Sequence, residues 1–261
     1  MDMTQAQVAP ISPVPVAADL TLADLRDALT AGWRDFLAHP AYGLFFAAIY
    51  VAGGLALFYA LGMRGASGWL LTAAAGFPLV APFTAVGLYE VSRRRDAGLP
   101  LGWGAVLGAL RGRGDDQLLM MGGFIFVGFT FWIILAHGIF AIFLAESGIG
   151  SESLEIFRTT AGIAMLIVGG AIGAVVAYVF YAVTVISLPM LVDRDVDFLS
   201  AIIKSLRAVQ ANGAVMLAWA ALIAAVLFAA MVPAFLGLLV ALPVLGHATW
   251  HLYRRVCGAP A

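Results

Sequence analysis

The residues able to do chemistry in this chain are few, and most of them lie in or beside apolar stretches. His247 and His251 stand four apart, which puts two imidazoles on one helical face at metal-ligand spacing. No cysteine or acid is near them in sequence, so the pattern alone favours two surface-level histidines beside Trp250. His137 and Glu90 fall inside long apolar runs, where an ionisable group costs several kcal/mol and raises a functional question. Glu90 is three and four residues from Arg93 and Arg94, which favours structural pairing. His137 reads as a neutral imidazole bonded to a neighbouring helix. With His39 before the first apolar run, these are the four histidines. Haem ligation needs two imidazoles facing each other across a gap, and two on one helix cannot supply that. No phosphate-binding glycine loop, catalytic carboxylate pair or Ser-His-Asp order emerges, so the reading is of no cofactor and no catalytic residue.

The elements that must position these groups are membrane helices. Of 261 residues, 63% are hydrophobic and only 11% are charged, with a mean hydropathy of +1.00. A soluble domain carries about 25% charged residues, so lipid is the solvent for most of this surface. A net charge of −1 excludes the clustered basic field a nucleic acid would need. The single Cys257 excludes an intrachain disulfide and a multi-cysteine metal cage.

Three amphipathic stretches recur, each leading into apolar sequence. In the stretch from Asp197 to Leu217, Phe198, Ile202, Leu206 and Val209 repeat at helical spacing until Asn212-Gly213 breaks the pattern. Asp24-Leu25, Ala28-Leu29 and Trp33-Arg34 align with Asp197-Phe198, Ala201-Ile202 and Leu206-Arg207. Trp103, Ala105-Val106 and Leu110-Arg111 supply a shorter middle copy, weakened by glycines at 102, 104, 108 and 112. Thr21 and Asp24 predict a capped start for the first of these helices, and Pro40 its end.

The expected fold is therefore an all-α membrane bundle of six spans. It is built as three units, about 21–95, 100–192 and 193–256, each an interfacial helix followed by a two-span hairpin. Residues 1–20 read as a flexible proline-rich tail without a signal peptide, and 257–261 as a short C-terminal tail. Pro78 and Pro82 interrupt span two, Pro189 breaks an overlong span four, Pro233 turns span five into span six, and Pro243 lies within span six. Gly169, Gly173 and Ala177 form a small-residue stripe that would let another helix approach. Twelve of the fourteen Lys and Arg residues fall on one side of this arrangement, leaving Arg64 and Arg158 on the other. The positive-inside rule then puts both termini in the cytoplasm.

The stretches TLADLRDALTAGWRDFLAHPAYGLFF, LVAPFTAVGLYEVSRR, SLPMLVDRDVDFLSAI and LPVLGHATWHLYRR resemble a family of bacterial integral membrane proteins (domain of unknown function 2189). The resemblance runs from about Leu20 to Val256 and implies a bacterial inner-membrane location but no activity. Some members carry the label cytochrome c oxidase subunit I, yet that subunit needs more metal-binding histidines than the four here. The function expected is a non-enzymatic accessory or scaffold that engages lipid or a membrane-protein partner, or a second copy of itself, at its cytoplasmic face. A transporter or channel is the alternative, and a haem-bearing redox subunit the second alternative.

Overall fold

The computed structural model describes residues 15–63, 85–109, 116–147 and 158–258, and every regular element among them is helical. Helix α1 (Leu22–Ala38) starts as its sequence predicts: Thr21 Oγ1 accepts from Asp24 N–H, and Asp24 Oδ2 accepts from Thr21 N–H at 2.7 Å. This reciprocal cap satisfies two donors that a helix start leaves open. His39 ends α1, and Pro40 opens α2 (Pro40–Met63) at an angle of 99° to it. Proline is suited to that first position because its missing N–H would have no partner there.

After residues 64–84 come α3 (Val86–Asp96) and the short α4 (Trp103–Gly108). The glycine-weakened middle copy thus forms only six residues of helix. Trp103 anchors it against Tyr42 and Phe45 of α2, with ring centroids 4.4 and 5.1 Å apart. Helices α5 (Gln117–Ser147) and α6 (Thr160–Thr184) form the longest hairpin, and α7 (Ser187–Asp193) continues α6. Then follow α8 (Phe198–Ala211), α9 (Gly213–Met231) and α10 (Leu238–Cys257). The turn between α9 and α10 contains Pro233, with Ala234 and Phe235 at positive φ (50° and 65°), a conformation non-glycine residues rarely adopt.

The break between α6 and α7 falls beside Pro189, where the sequence put it. Ile186 N–H would ordinarily bond Ala182 four residues back. Instead it donates to Ser205 Oγ of α8 at 3.2 Å, and that hydroxyl donates to Ala182 C=O at 2.7 Å. A side chain inserted into the ladder is one of the few physical causes of a helix kink. The stripe on α6 meets side chains of α5: an added Cβ at Gly173 would lie 3.0 Å from the Trp132 ring, and one at Gly169 would lie 3.7 Å from Ile139.

Three stretches are long and apolar enough to cross a bilayer: Gln117–Phe143, Thr160–Asp193 and Gly213–Met231. The bent pair α1–α2 makes a fourth if it is counted as one span. The protein is thus a multi-pass membrane protein with three or four candidate spans among the described residues. Expected span two, with Pro78 and Pro82, lies mostly outside them. Expected span six corresponds to α10, which does not qualify, because its last three turns carry His247, His251, Arg254 and Arg255.

Those turns are the centre of the molecule's polar end. Helices α3, α7 and α10 pack on one another, with α1 across α10, α4 beside α3, and α8 against α6 and α7. The approach of α1 to α10 is close because position 32 is glycine: a Cβ there would lie 2.5 Å from the backbone nitrogen of Ala248. Residues 15–20 run extended along this end. Ala17 N–H bonds Val256 C=O at 2.9 Å, and Leu20 N–H bonds Asn212 Oδ1 at 3.1 Å, so this part of the expected tail is tied down.

Candidate functional site

On α1, Leu25, Ala28, Gly32, Asp35 and Phe36 form the buried face. A carboxylate on such a face must find donors. Asp35 finds three. Ser92 of α3 donates to Oδ2 at 2.5 Å, His251 of α10 meets the same oxygen through Nε2 at 2.9 Å, and Arg95 of α3 donates to Oδ1 at 2.6 Å. Burial pushes the Asp35 carboxyl up, but the bonds from His251 and Ser92, and the nearby histidine charge, outweigh it and hold the group below its ordinary value.

Ser92 also lies 2.8 Å from Nδ1 of His247, and both side chains are fully buried. A hydroxyl has one proton, and here it goes to Asp35. His247 must then carry its own proton on Nδ1 and donate to Ser92 Oγ, an assignment that follows from the bond network. Nε2 is buried and meets no partner in hydrogen-bonding geometry. The order is carboxylate, hydroxyl, imidazole. A hydrolytic triad needs the imidazole in the middle, so Ser92 has no base to activate it and no access to substrate.

The sequence-predicted residues are only partly brought together. His247 and His251 converge on Asp35 and Ser92, whereas His39 sits at the end of α1 beside Tyr42 and His137 lies half-buried along α5. Among the described residues, no group of three or more His, Cys, Asp or Glu is placed to hold a metal ion. Glu90 is buried and pairs as its spacing suggested: Arg93 grips it through Nε and Nη2 at 2.6 and 2.7 Å, and Arg94 Nε adds a bond at 2.7 Å. Pro189 and Pro233 mark breaks, while Pro243 stays inside α10 and packs where Gly43 of α2 leaves room.

Other members of the network gave no sequence signal of their own. Asp193 accepts from Tyr253 Oη at 2.8 Å and pairs with Arg254 at 3.4 Å. Arg194 donates to Tyr253 Oη and to the carbonyls of Cys257 and Gly258. Trp250 Nε1 donates to Asp96 Oδ2 at 2.8 Å, and Arg255 reaches Asp24 at 2.8 Å. Asp35 was missed as well, although a helical projection that puts it beside Ala28 and Phe36 is the signal that could have found it. The cluster is a buried clamp in which the end of α10 holds the N-terminal segment, α1, α3 and α7 in one arrangement.

Residues 70–193 match the family described as predicted integral membrane protein (DUF2189). The match runs from the stretch before α3 through α7, and so takes in Ser92, Arg95, Glu90 and Asp193 of the clamp. It carries the plain statement that this is an integral membrane protein, with no function attached. No curated protein and no solved structure matches the chain.

Proposed function

We propose that the protein is a non-enzymatic accessory or scaffold component of the bacterial inner membrane whose cytoplasmic rim engages lipid or a membrane partner. The observation that carries this reading is the three-sided character of the rim helices. On α1 the buried face is followed, around the helix, by a sector in which exposed Leu22, Trp33 and Leu37 flank Arg26, whose long stem can lie along them with its charge in water, and then by Asp27, Thr30 and Arg34. On α8 the buried Ala201, Ser205, Ala208 and Val209 are followed in the same sense by exposed Leu199 and Ile203, with Gln210 between them at the last turn, then by Ser200 and Arg207. A helix lying between protein, acyl chains and water needs three such faces. Trp103 and Leu107 of α4 are exposed in the same way.

The same pattern supports three repeated units. Ala28, Gly32, Asp35 and Phe36 align with Ala201, Ser205, Ala208 and Val209, and all eight are buried. Each rim helix also packs on the end of the preceding unit's second helix: α4 on α3, α8 on α7, and α1 on α10. The hydrogen bond between Ala17 and Val256 brings these two residues to one side of the protein, which supports an even number of crossings between them and so the six-span reading with both ends cytoplasmic. The clamp holds the rim rigid, and no reacting group in it is open to substrate.

Photoreactive p-benzoylphenylalanine at Leu37, Trp103 and Leu199, activated in native membranes, tests the reading. Cross-links to lipid or to a discrete membrane protein are the expected products. Silence at all three positions in a folded protein would refute it.

A further inference from the structure

Helix α3 carries three consecutive arginines in its last turn, and two of them border a recess of about 240 Å³ between α3, α4 and α7. Glu90, Arg93 and Arg94 line it from α3, Ala105, Gly108 and Ala109 from α4 and the residue after it, and Val192 from α7. The α4 residues are three and four apart, so a face of small residues meets the two guanidiniums. The recess is fixed by the packing around it. Val106 is fully buried with Leu88 and Val91 of α3, and the turn at Gly98 (φ 62°) brings Pro100 C=O to Arg94 Nη1 at 2.7 Å. The volume is below that of a whole small-molecule site, which starts at about 300 Å³, and suits a headgroup rather than an entire lipid.

The two guanidiniums are oriented but not used up. Glu90 takes Nε and Nη2 of Arg93 and Nε of Arg94, and Pro100 takes Nη1 of Arg94. Arg93 Nη1 and Arg94 Nη2 have no partner among the described residues, and neither atom is sealed off in the interior. Their side chains are 11% and 21% exposed. The other carboxylate that acts on Arg93, Asp193, is already engaged by Tyr253, Arg194 and Arg254. Two positive charges thus share one carboxylate, and the wall is net positive. Guanidiniums held in fixed planes with open N–H edges match the oxygens of a phosphate. The helix across the recess also carries exposed Trp103 and Leu107, so a ligand there meets both an anion site and an apolar stripe.

We propose that this recess binds the phosphodiester of an anionic phospholipid, its oxygens accepting from Arg93 Nη1–H and Arg94 Nη2–H while the acyl chains run beside Trp103 and Leu107. Resting on the reading of the rim as a lipid-facing surface, this site adds the headgroup chemistry that the surface selects.

Three variants separate the site from the fold and from surface charge in general. Ala105→Glu puts a carboxylate into the recess and leaves both arginines and Glu90 in place. Arg94→Gln removes one open donor, while Arg93 still holds Glu90 by two bonds. Arg34→Gln removes an exposed charge from α1 and is the control. The full chain, exchanged into mild detergent, is titrated with dioleoylphosphatidylglycerol, with dioleoylglycerol, which has the same chains and no phosphate, and with inorganic phosphate. Adducts are read by native mass spectrometry. The expected result is a saturable one-to-one adduct with the phospholipid, about tenfold weaker in Ala105→Glu and Arg94→Gln and unchanged in Arg34→Gln, with the melting of Ala105→Glu unaltered. No such adduct, equal adducts in all four proteins, or an equally tight dioleoylglycerol adduct overturns the proposal. So does an adduct with inorganic phosphate but not with the phospholipid, which would make the site one for a soluble phosphate. Lipid cross-links at Leu37 and Leu199 in the absence of the phospholipid adduct would leave the rim reading standing and remove only the headgroup site.

Discussion

Asp35 and His251 lie 216 positions apart in the chain and meet at 2.9 Å beneath the first amphipathic helix. The contact joins the first helix to the last, and it is one of three bonds to a single carboxylate. Asp35→Asn should remove the charge that Arg95 and His251 are arranged around while leaving both in place. Breaking a buried pair from one side costs roughly 3 kcal/mol or more. Thermal unfolding in detergent should show the loss, with a smaller effect for the more exposed Arg95→Gln.

The same carboxylate gives an acid-side prediction. Its folded value is depressed below 3.8, so its contribution is fully present above that value and is lost as pH falls through the lower one. Asp24 and Asp197, held low by the caps they make with Thr21 and Ser200, act in the same direction. Melting temperature should therefore fall as pH drops below about 4, and fall less in Asp35→Asn. An equal fall in that variant would remove Asp35 from the account.

Gly32 and Gly104 make opposite predictions for the same substitution. At Gly32 a Cβ would run into the backbone of Ala248, so Gly32→Ala must push α1 off α10 and expose the clamp. At Gly104 a Cβ meets nothing within 4 Å, so Gly104→Ala should be neutral or stabilise α4 by up to about 1 kcal/mol. Limited proteolysis of α1, compared between the two variants, distinguishes them.

How much of this was legible follows from where each residue's partners lie. The capped start of α1, the break at Pro189, the turn at Pro233 and the Glu90 pairing all depend on neighbours a few residues away, and the sequence carried them. Asp35, Ser92 and Asp193 were missed, because the partners that make them matter come from distant helices, α3 and α10 for Asp35, α1 and α10 for Ser92, and α10 for Asp193. The end of α10 shows the same limit: its first turns are apolar, while His247, His251 and Arg254 in its last turns meet partners on α3, α1 and α7 that no local pattern announces. Trp250 and Tyr253, which stand beside the two histidines expected at the surface, are fully buried.

Ser205→Ala should unsettle the α6–α7 break specifically. It leaves Ile186 N–H and Ala182 C=O without the hydroxyl that bridges them, a cost of about 1–3 kcal/mol for buried groups left unpaired. Hydrogen exchange at Ile186 should accelerate while exchange in α9 stays unchanged. No change at Ile186 would mean the hydroxyl does not serve as a rung of that ladder.

The central claim is that the rim helices lie in the membrane surface with their apolar stripes toward the acyl chains. In a Cys257→Ala background, nitroxides placed singly at Leu37 and Arg34, reconstituted in phospholipid vesicles, test it most directly through their relative collision with oxygen and with a water-soluble nickel chelate. The account predicts that the label at Leu37 favours oxygen and the label at Arg34, on the adjacent polar sector, favours nickel. Equal, water-like accessibility at both positions would contradict it.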